Sequence, residues 1–92
     1  MNMIRPTLAR TAGILCGNPT FRRFLAERFP AEWRDFGDLE DVDRAAAVVR
    51  TVCEIKSRSE LDRDSTAARL FHTNVGFPFN DWQQQQASPE RA

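Results

Sequence analysis

The chain has 92 residues, 41 % of them hydrophobic and 28 % charged, with a formal net charge of zero. That length allows one domain with one modest core, and no apolar run approaches the roughly 20 residues that would span a bilayer. Charge is placed unevenly: residues 1–34 hold six arginines and two glutamates (net +4), residues 35–64 nine acids against five bases (net −4), and residues 65–92 balance.

The N-terminus briefly resembles a signal peptide, with Arg5 and Arg10 before Ala12-Gly13-Ile14-Leu15-Cys16. The apolar stretch is too short, Arg10 interrupts it and no small-residue cleavage site follows, so a cytoplasmic protein is expected. A lipoprotein reading of Cys16 fails because Leu15 precedes it. Ile4, Leu8, Ala12 and Leu15 lie near one face of a helix expected from about Thr7 to Cys16, with Gly17 as its stop.

Asn18-Pro19-Thr20 starts the next helix: an N-cap residue, then proline at the first helical position, where its missing N–H costs nothing. Phe21, Phe24, Leu25 and Phe29 form an aromatic core stripe. Arg22 and Arg23 point away from it, and Arg23 is placed to pair with Glu27 one turn on. Pro30 breaks this helix or begins a short one through Trp33. Five acids in nine residues follow (Asp35, Asp38, Glu40, Asp41, Asp43). They lack the alternate oxygen ligands, central glycine and terminal glutamate of a calcium loop, so they read as a solvated loop and a helix start.

Asp41 to Ile55 reads as the central helix, with Asp41 as N-cap. Val42, Ala45, Ala46, Val49, Val52 and Cys53 share one face, and Val48 and Ile55 widen it, so more than one neighbour is expected to pack there. Ser57 and Glu60 form a capping box for a short helix ending near Arg63. Asp64 caps another from about Ser65 to Thr73, with Ala67, Leu70 and Phe71 inward and Asn74-Val75-Gly76 as its end. Phe77, Pro78, Phe79 and Trp82 either close the core or present an adhesive edge, and residues 83–92 read as a polar, frayed tail. No segment alternates as a strand would. The expected fold is all-α, a single domain over residues 1–82 of four or five short helices.

Little here suggests catalysis. Cys16 and Cys53 sit on apolar helical faces and read as buried reduced thiols, with a disulfide between them as the alternative. One histidine, His72, and no CxxC leave no local zinc site, so no metal or cofactor is expected. His72 reads as a partly exposed residue at a helix C-terminus. Scattered glycines form no phosphate loop. The twelve arginines against one lysine fit a GC-rich coding bias, and arginine also suits bidentate contact with carboxylate or phosphate.

Val48-Val49-Arg50, Cys53, and Ile55-Lys56-Ser57-Arg58-Ser59-Glu60-Leu61-Asp62, followed by Asp64, Ala67-Ala68 and Leu70-Phe71, resemble small uncharacterised proteins encoded by bacteriophages and prophages. Leu15-Cys16-Gly17-Asn18-Pro19, Phe21 and Phe24-Leu25 add to the resemblance, which covers most of residues 12–82. It implies a mobile-element origin, a bacterial cytoplasm, and work done by binding a host or phage protein complex, host-defence complexes included. It assigns no site residue.

Two functions are therefore expected. The first is a non-enzymatic interaction protein that binds and modulates a protein partner, or self-associates through its oppositely charged stretches. Its candidate binding residues are Arg22, Arg23, Arg28, Phe77, Phe79 and Trp82, because aromatics and arginine dominate interaction hot spots. The alternative is a DNA- or RNA-binding accessory of phage recombination or replication. In that reading Arg10, Arg22, Arg23, Arg28 and Arg34 line a basic face, and helix pairs with short turns supply a helix-turn-helix.

Overall fold

Three helices of this chain begin where a side chain accepts from free backbone N–H groups. The computed structural model describes residues 7–87; Ile4, assigned to the core above, lies outside them. Helix α1 runs Leu8–Cys16, and Thr7 Oγ1 accepts from Arg10 N at 3.1 Å. A second free donor, Ala9 N, is taken by Asp62 at 3.0 Å, which ties the start of α1 to a distant segment. Helix α2 runs Pro19–Arg28, with Asn18 Oδ1 accepting from Thr20 N at 2.8 Å and Pro19 in the first turn, as its first three residues predict. Pro30 cannot continue α2 and instead opens the short α3, Pro30–Asp35.

Helix α4, Asp41–Val52, lies at the centre and touches α1, α2, α3 and the later helix Ser65–Phe71. Five consecutive residues, Ala45 to Val49, are buried. A helix covered on only one side cannot bury five residues in a row, so its middle is enclosed all round. The several neighbours expected from the widened face are present, but its membership differs: Val42 is 47 % exposed and Ala47 is buried. The N-cap is Glu40 rather than Asp41, without a side-chain bond, and the helix stops at Val52 instead of Ile55. Arg44 fastens α3 to α4. Its Nε donates to Trp33 O at 2.7 Å and its guanidinium lies 4.3 Å from the Trp33 ring centre.

The end of α4 is a Schellman turn. Ile55 N donates to Arg50 O at 2.9 Å and Glu54 N to Thr51 O at 3.2 Å, with Glu54 in the left-handed region at φ 58°. A side chain there is strained by about 1–2 kcal/mol. Glu54→Gly relieves this but frees the unfolded chain, so a net gain of about 0.5–1 kcal/mol is expected. A thermal melt should show it as a rise of several degrees, and Glu54→Val should shift the opposite way.

Helix α5 spans Glu60–Arg63, with its N-cap at Ser59, two residues later than the capping box implies. Half of that box forms: Glu60 Oε2 accepts from Lys56 N at 2.8 Å and Ser57 N at 3.0 Å. Ser57 Oγ instead accepts from Ser59 N at 3.2 Å, shaping a turn ahead of the helix. Helix α6, Ser65–Phe71, is capped by Asp64, whose Oδ1 accepts from Thr66 N at 2.9 Å and Ala67 N at 3.4 Å.

Asn74-Val75-Gly76 does not end that helix. Residues His72–Gly76 form a π-helical turn, and the chain runs straight on into α7, Phe77–Ala87. Pro78 is the local reason. It has no N–H for the Asn74 carbonyl and its ring would strike that carbonyl in a regular helix, so the turn widens. Two tertiary contacts hold the widened turn: Val75 is fully buried, and Asn74 Nδ2 donates to Val52 O at 2.9 Å, capping the last turn of α4. Gln83 to Gln86 are helical, so the tail does not begin at Gln83; residues 88–92 lie outside the described part.

The fold is all-α, with more helical segments than the four or five expected, and no described helix is long and apolar enough to cross a membrane. The core gathers Phe21, Phe24, Leu25, Val48, Val49, Leu61, Phe71, Val75 and Phe79 around α4. Cys16 and Cys53 are buried free thiols within it, not a disulfide. Burial pushes Cys53 up to about 11. Burial also raises Cys16, against the opposing pull of Arg58, Arg50 and Arg22. A raised thiol pKa means the folded state holds its proton longer than the unfolded chain. The resulting stability is complete below the ordinary value of 9.0 and is lost as pH rises through about 11. Urea midpoints should therefore fall between pH 9 and 11, and Cys53→Ala should flatten that fall.

Candidate functional site

The six candidate residues divide once the chain folds. Phe79 is a core residue, 7 % exposed, 5.0 Å from Phe21 and 5.2 Å from Phe24 between ring centres, so it is removed from the binding set. Phe77 is 65 % exposed and stacks on the His72 ring at 5.7 Å. Two residues apart on one helix, Phe77 and Phe79 leave on nearly opposite sides. His72 is exposed at the C-cap of α6, as expected, where that helix passes into the π turn. Arg22 is structural: its Nη1 donates to Cys16 O at 3.1 Å, closing the end of α1.

Arg23, Arg28 and Trp82 do come together, where α2 lies against α7. Trp82 is half-buried and held by four neighbours. It packs edge-on to Phe24 at 5.8 Å and parallel to Phe79 at 6.2 Å, and its Nε1 donates to Glu27 Oε1 at 3.0 Å. The Arg23 guanidinium covers it at 5.4 Å. Arg23 is itself held, by Glu27 at 3.6 Å, as its spacing predicts, and by Gln86 Oε1 at 3.2 Å. Trp82 forms the wall between two shallow grooves. One, of about 440 Å³, is lined by Phe24, Glu27, Arg28, Pro78, Asp81 and Gln85; the other, of about 490 Å³, includes Thr20, Arg23 and Gln86. Sequence reasoning missed Glu27, Asp81, Gln85 and Gln86 here. The i, i+4 relation of Asp81 to Gln85, which puts them on one stripe beside Trp82, was the signal available.

A second surface was not anticipated. Arg10 of α1, Arg50 at the end of α4, and Lys56 and Arg58 of the following loop converge on an open cleft of about 640 Å³, with Asp43 as its acid. Three of those four cations come from the stretch whose net charge is −4, so the charge blocks of the sequence do not become two faces of the fold. The Schellman turn brings the loop back over α4. The Glu60 and Ser57 bonds then stiffen it, and the bond from Ala9 N to Asp62 holds it against α1. The Arg58 guanidinium lies over Gly13, where a Cβ would sit 3.4 Å from its Cζ.

No known protein family, curated protein or solved structure matches this chain.

Proposed function

We propose that the chain is a small, non-enzymatic interaction protein of the phage type, which binds and modulates a host or phage protein complex, a host-defence complex included, in a bacterial cytoplasm. The observation that supports this reading is the braced Trp82: a tryptophan covered by an arginine, with an aromatic floor and an acid holding its N–H, set between two grooves. Tryptophan and arginine carry most of the binding energy at protein interfaces, and a side chain already fixed in place loses little freedom on binding. The mixed charges around it, Glu27, Arg28 and Asp81, suit a polar rim.

Affinity capture of the tagged protein from a bacterial lysate, with and without nuclease, tests the proposal. A stoichiometric partner that survives nuclease, and is lost by roughly tenfold or more in Arg28→Glu, is expected. Arg28 is exposed, so this variant changes the groove and not the core. Full retention of the partner by both Arg28→Glu and Trp82→Ala, in chains that remain helical by circular dichroism, rules the surface out. Arg22→Glu is a poor probe, since it also unties the α1 joint.

The second reading, a nucleic-acid-binding accessory, is favoured by a different observation, the four cations around the cleft. A set of captured partners that vanishes with nuclease would favour it.

A further inference from the structure

We propose that the cleft between α1, the end of α4 and the Lys56–Ser59 loop is a phosphate-binding site. The inference narrows the nucleic-acid reading to one cleft and one chemical group, and it is independent of the protein-partner reading.

The convergence of four cations on one cleft carries the argument. Arg22 is spent on a helix end, Arg44 on the Trp33 carbonyl and ring, Arg23 on Glu27 and Gln86, and Arg63 on Ser59 at 3.4 Å. Among the described residues, the side chains of Arg10, Arg50, Lys56 and Arg58 are in no ion pair and donate to no oxygen of the chain; the same is true of Arg28, Arg34 and Arg69, but these four meet at one cleft. Like charges brought together repel, and a chain with as many acids as bases could have neutralised them. Against the four cations the cleft sets only Asp43. Their placement is also prepared. Arg50 and Arg58 are half-buried and flank the same space, and Arg58 lies over Gly13 with a hydrogen bond to the Cys16 thiol.

Phosphate suits this set better than other anions. Planar guanidinium groups match its oxygens two at a time, and a lysine adds a point charge. The hydroxyls of Ser57 and Ser59, 2.9 Å apart on the same wall, supply neutral donors. The cleft is far larger than one phosphate group, so there is room for whatever carries it. None of the lining residues is aromatic, so bases would not stack there, and contact with a strand would be through its backbone and indifferent to sequence.

Binding of inorganic phosphate, adenosine triphosphate and fluorescein-labelled oligonucleotides, single-stranded and duplex, is measured at low ionic strength, with polyglutamate as a carboxylate control. At least one phosphate-bearing probe is expected to bind, more weakly by about tenfold in each of Lys56→Gln, Arg50→Gln and Arg58→Gln. Arg69→Gln, exposed on α6 and outside the cleft, should leave it unchanged. Lys56 is exposed, so Lys56→Gln remains a fair test if an arginine variant unfolds. Binding of oligonucleotides alone makes the source a phosphodiester strand, with affinity falling steeply as salt rises; equal binding of the small probes makes it a free phosphate. Three results overturn the site: no phosphate-bearing probe binds, polyglutamate binds as tightly, or Lys56→Gln is without effect. Oligonucleotide binding that ignores the variants leaves the nucleic-acid reading standing without the cleft, whereas absence of all binding removes both.

Discussion

Phe24→Ala is expected to cost about 3–5 kcal/mol, a large share of what a domain of this size has in total. Phe24 is 2 % exposed and touches four other rings: Phe21 at 6.1 Å, Phe29 at 6.4 Å, Phe79 at 5.2 Å and Trp82 at 5.8 Å. Removing it deletes a large apolar transfer term and leaves a hole between α2 and α7. The Phe21–Phe79 and Glu27–Trp82 contacts hold the two helices in place beside it, so neighbours cannot easily move in to fill it. The loss goes beyond the area because edge-on and tilted ring pairs add about 0.5–1.5 kcal/mol each. Urea denaturation followed by far-ultraviolet circular dichroism reads the cost. A change below about 1 kcal/mol would mean that α2 and α7 are not joined through this ring. The same variant removes the floor under Trp82, so partner capture should fall with it even under conditions where the chain stays folded. Phe24→Leu keeps most of the volume and should recover much of the stability but less of the Trp82 brace.

Ala45→Leu is expected to cost at least about 1–3 kcal/mol, by overpacking. Ala45 is fully buried and begins the run of five buried residues on α4. Its methyl group lets neighbouring backbones approach, and a leucine there needs space that the enclosed middle of the helix cannot yield. Val42→Ala, one turn earlier on the same helix, should change stability by less than about 0.5 kcal/mol because Val42 is nearly half exposed. Sequence periodicity puts Val42 and Ala45 on one buried face. The contrast between the two melts therefore tests which description of α4 is right. Equal costs would return Val42 to the buried face.

How far the candidate site was legible follows from the same difference. The pair Arg23–Glu27 was readable because helical spacing alone brings those residues within reach. Trp82 was singled out by type, but its brace depends on Phe24 and Glu27, 58 and 55 residues earlier in the chain. Phe77 and Phe79 looked alike in sequence and ended on opposite sides of α7, since the π turn sets which way that helix faces the core. Arg22 looked like a surface cation and became a cap for a neighbouring helix. The basic cleft gave no warning, because its cations are dispersed between positions 10 and 58, most of them within a net acidic stretch.

By itself, the sequence determined the all-α class, the starts of α1, α2 and α6, and the phenylalanine stripe of α2. Caps and helical periodicity need only neighbours a turn away, so Thr7, Asn18-Pro19 and Asp64 act in the same way whatever the rest of the chain does. Tertiary structure decided the rest. It carried the last helix through Asn74-Val75-Gly76, because burial of Val75 and the bond from Asn74 to Val52 O outweigh a local stop signal. It enclosed the middle of α4 and sorted three aromatics into one core ring, one brace and one exposed ring. It also drew four cations to one cleft, since attraction, repulsion and packing depend on distance in space, which one-dimensional spacing does not contain.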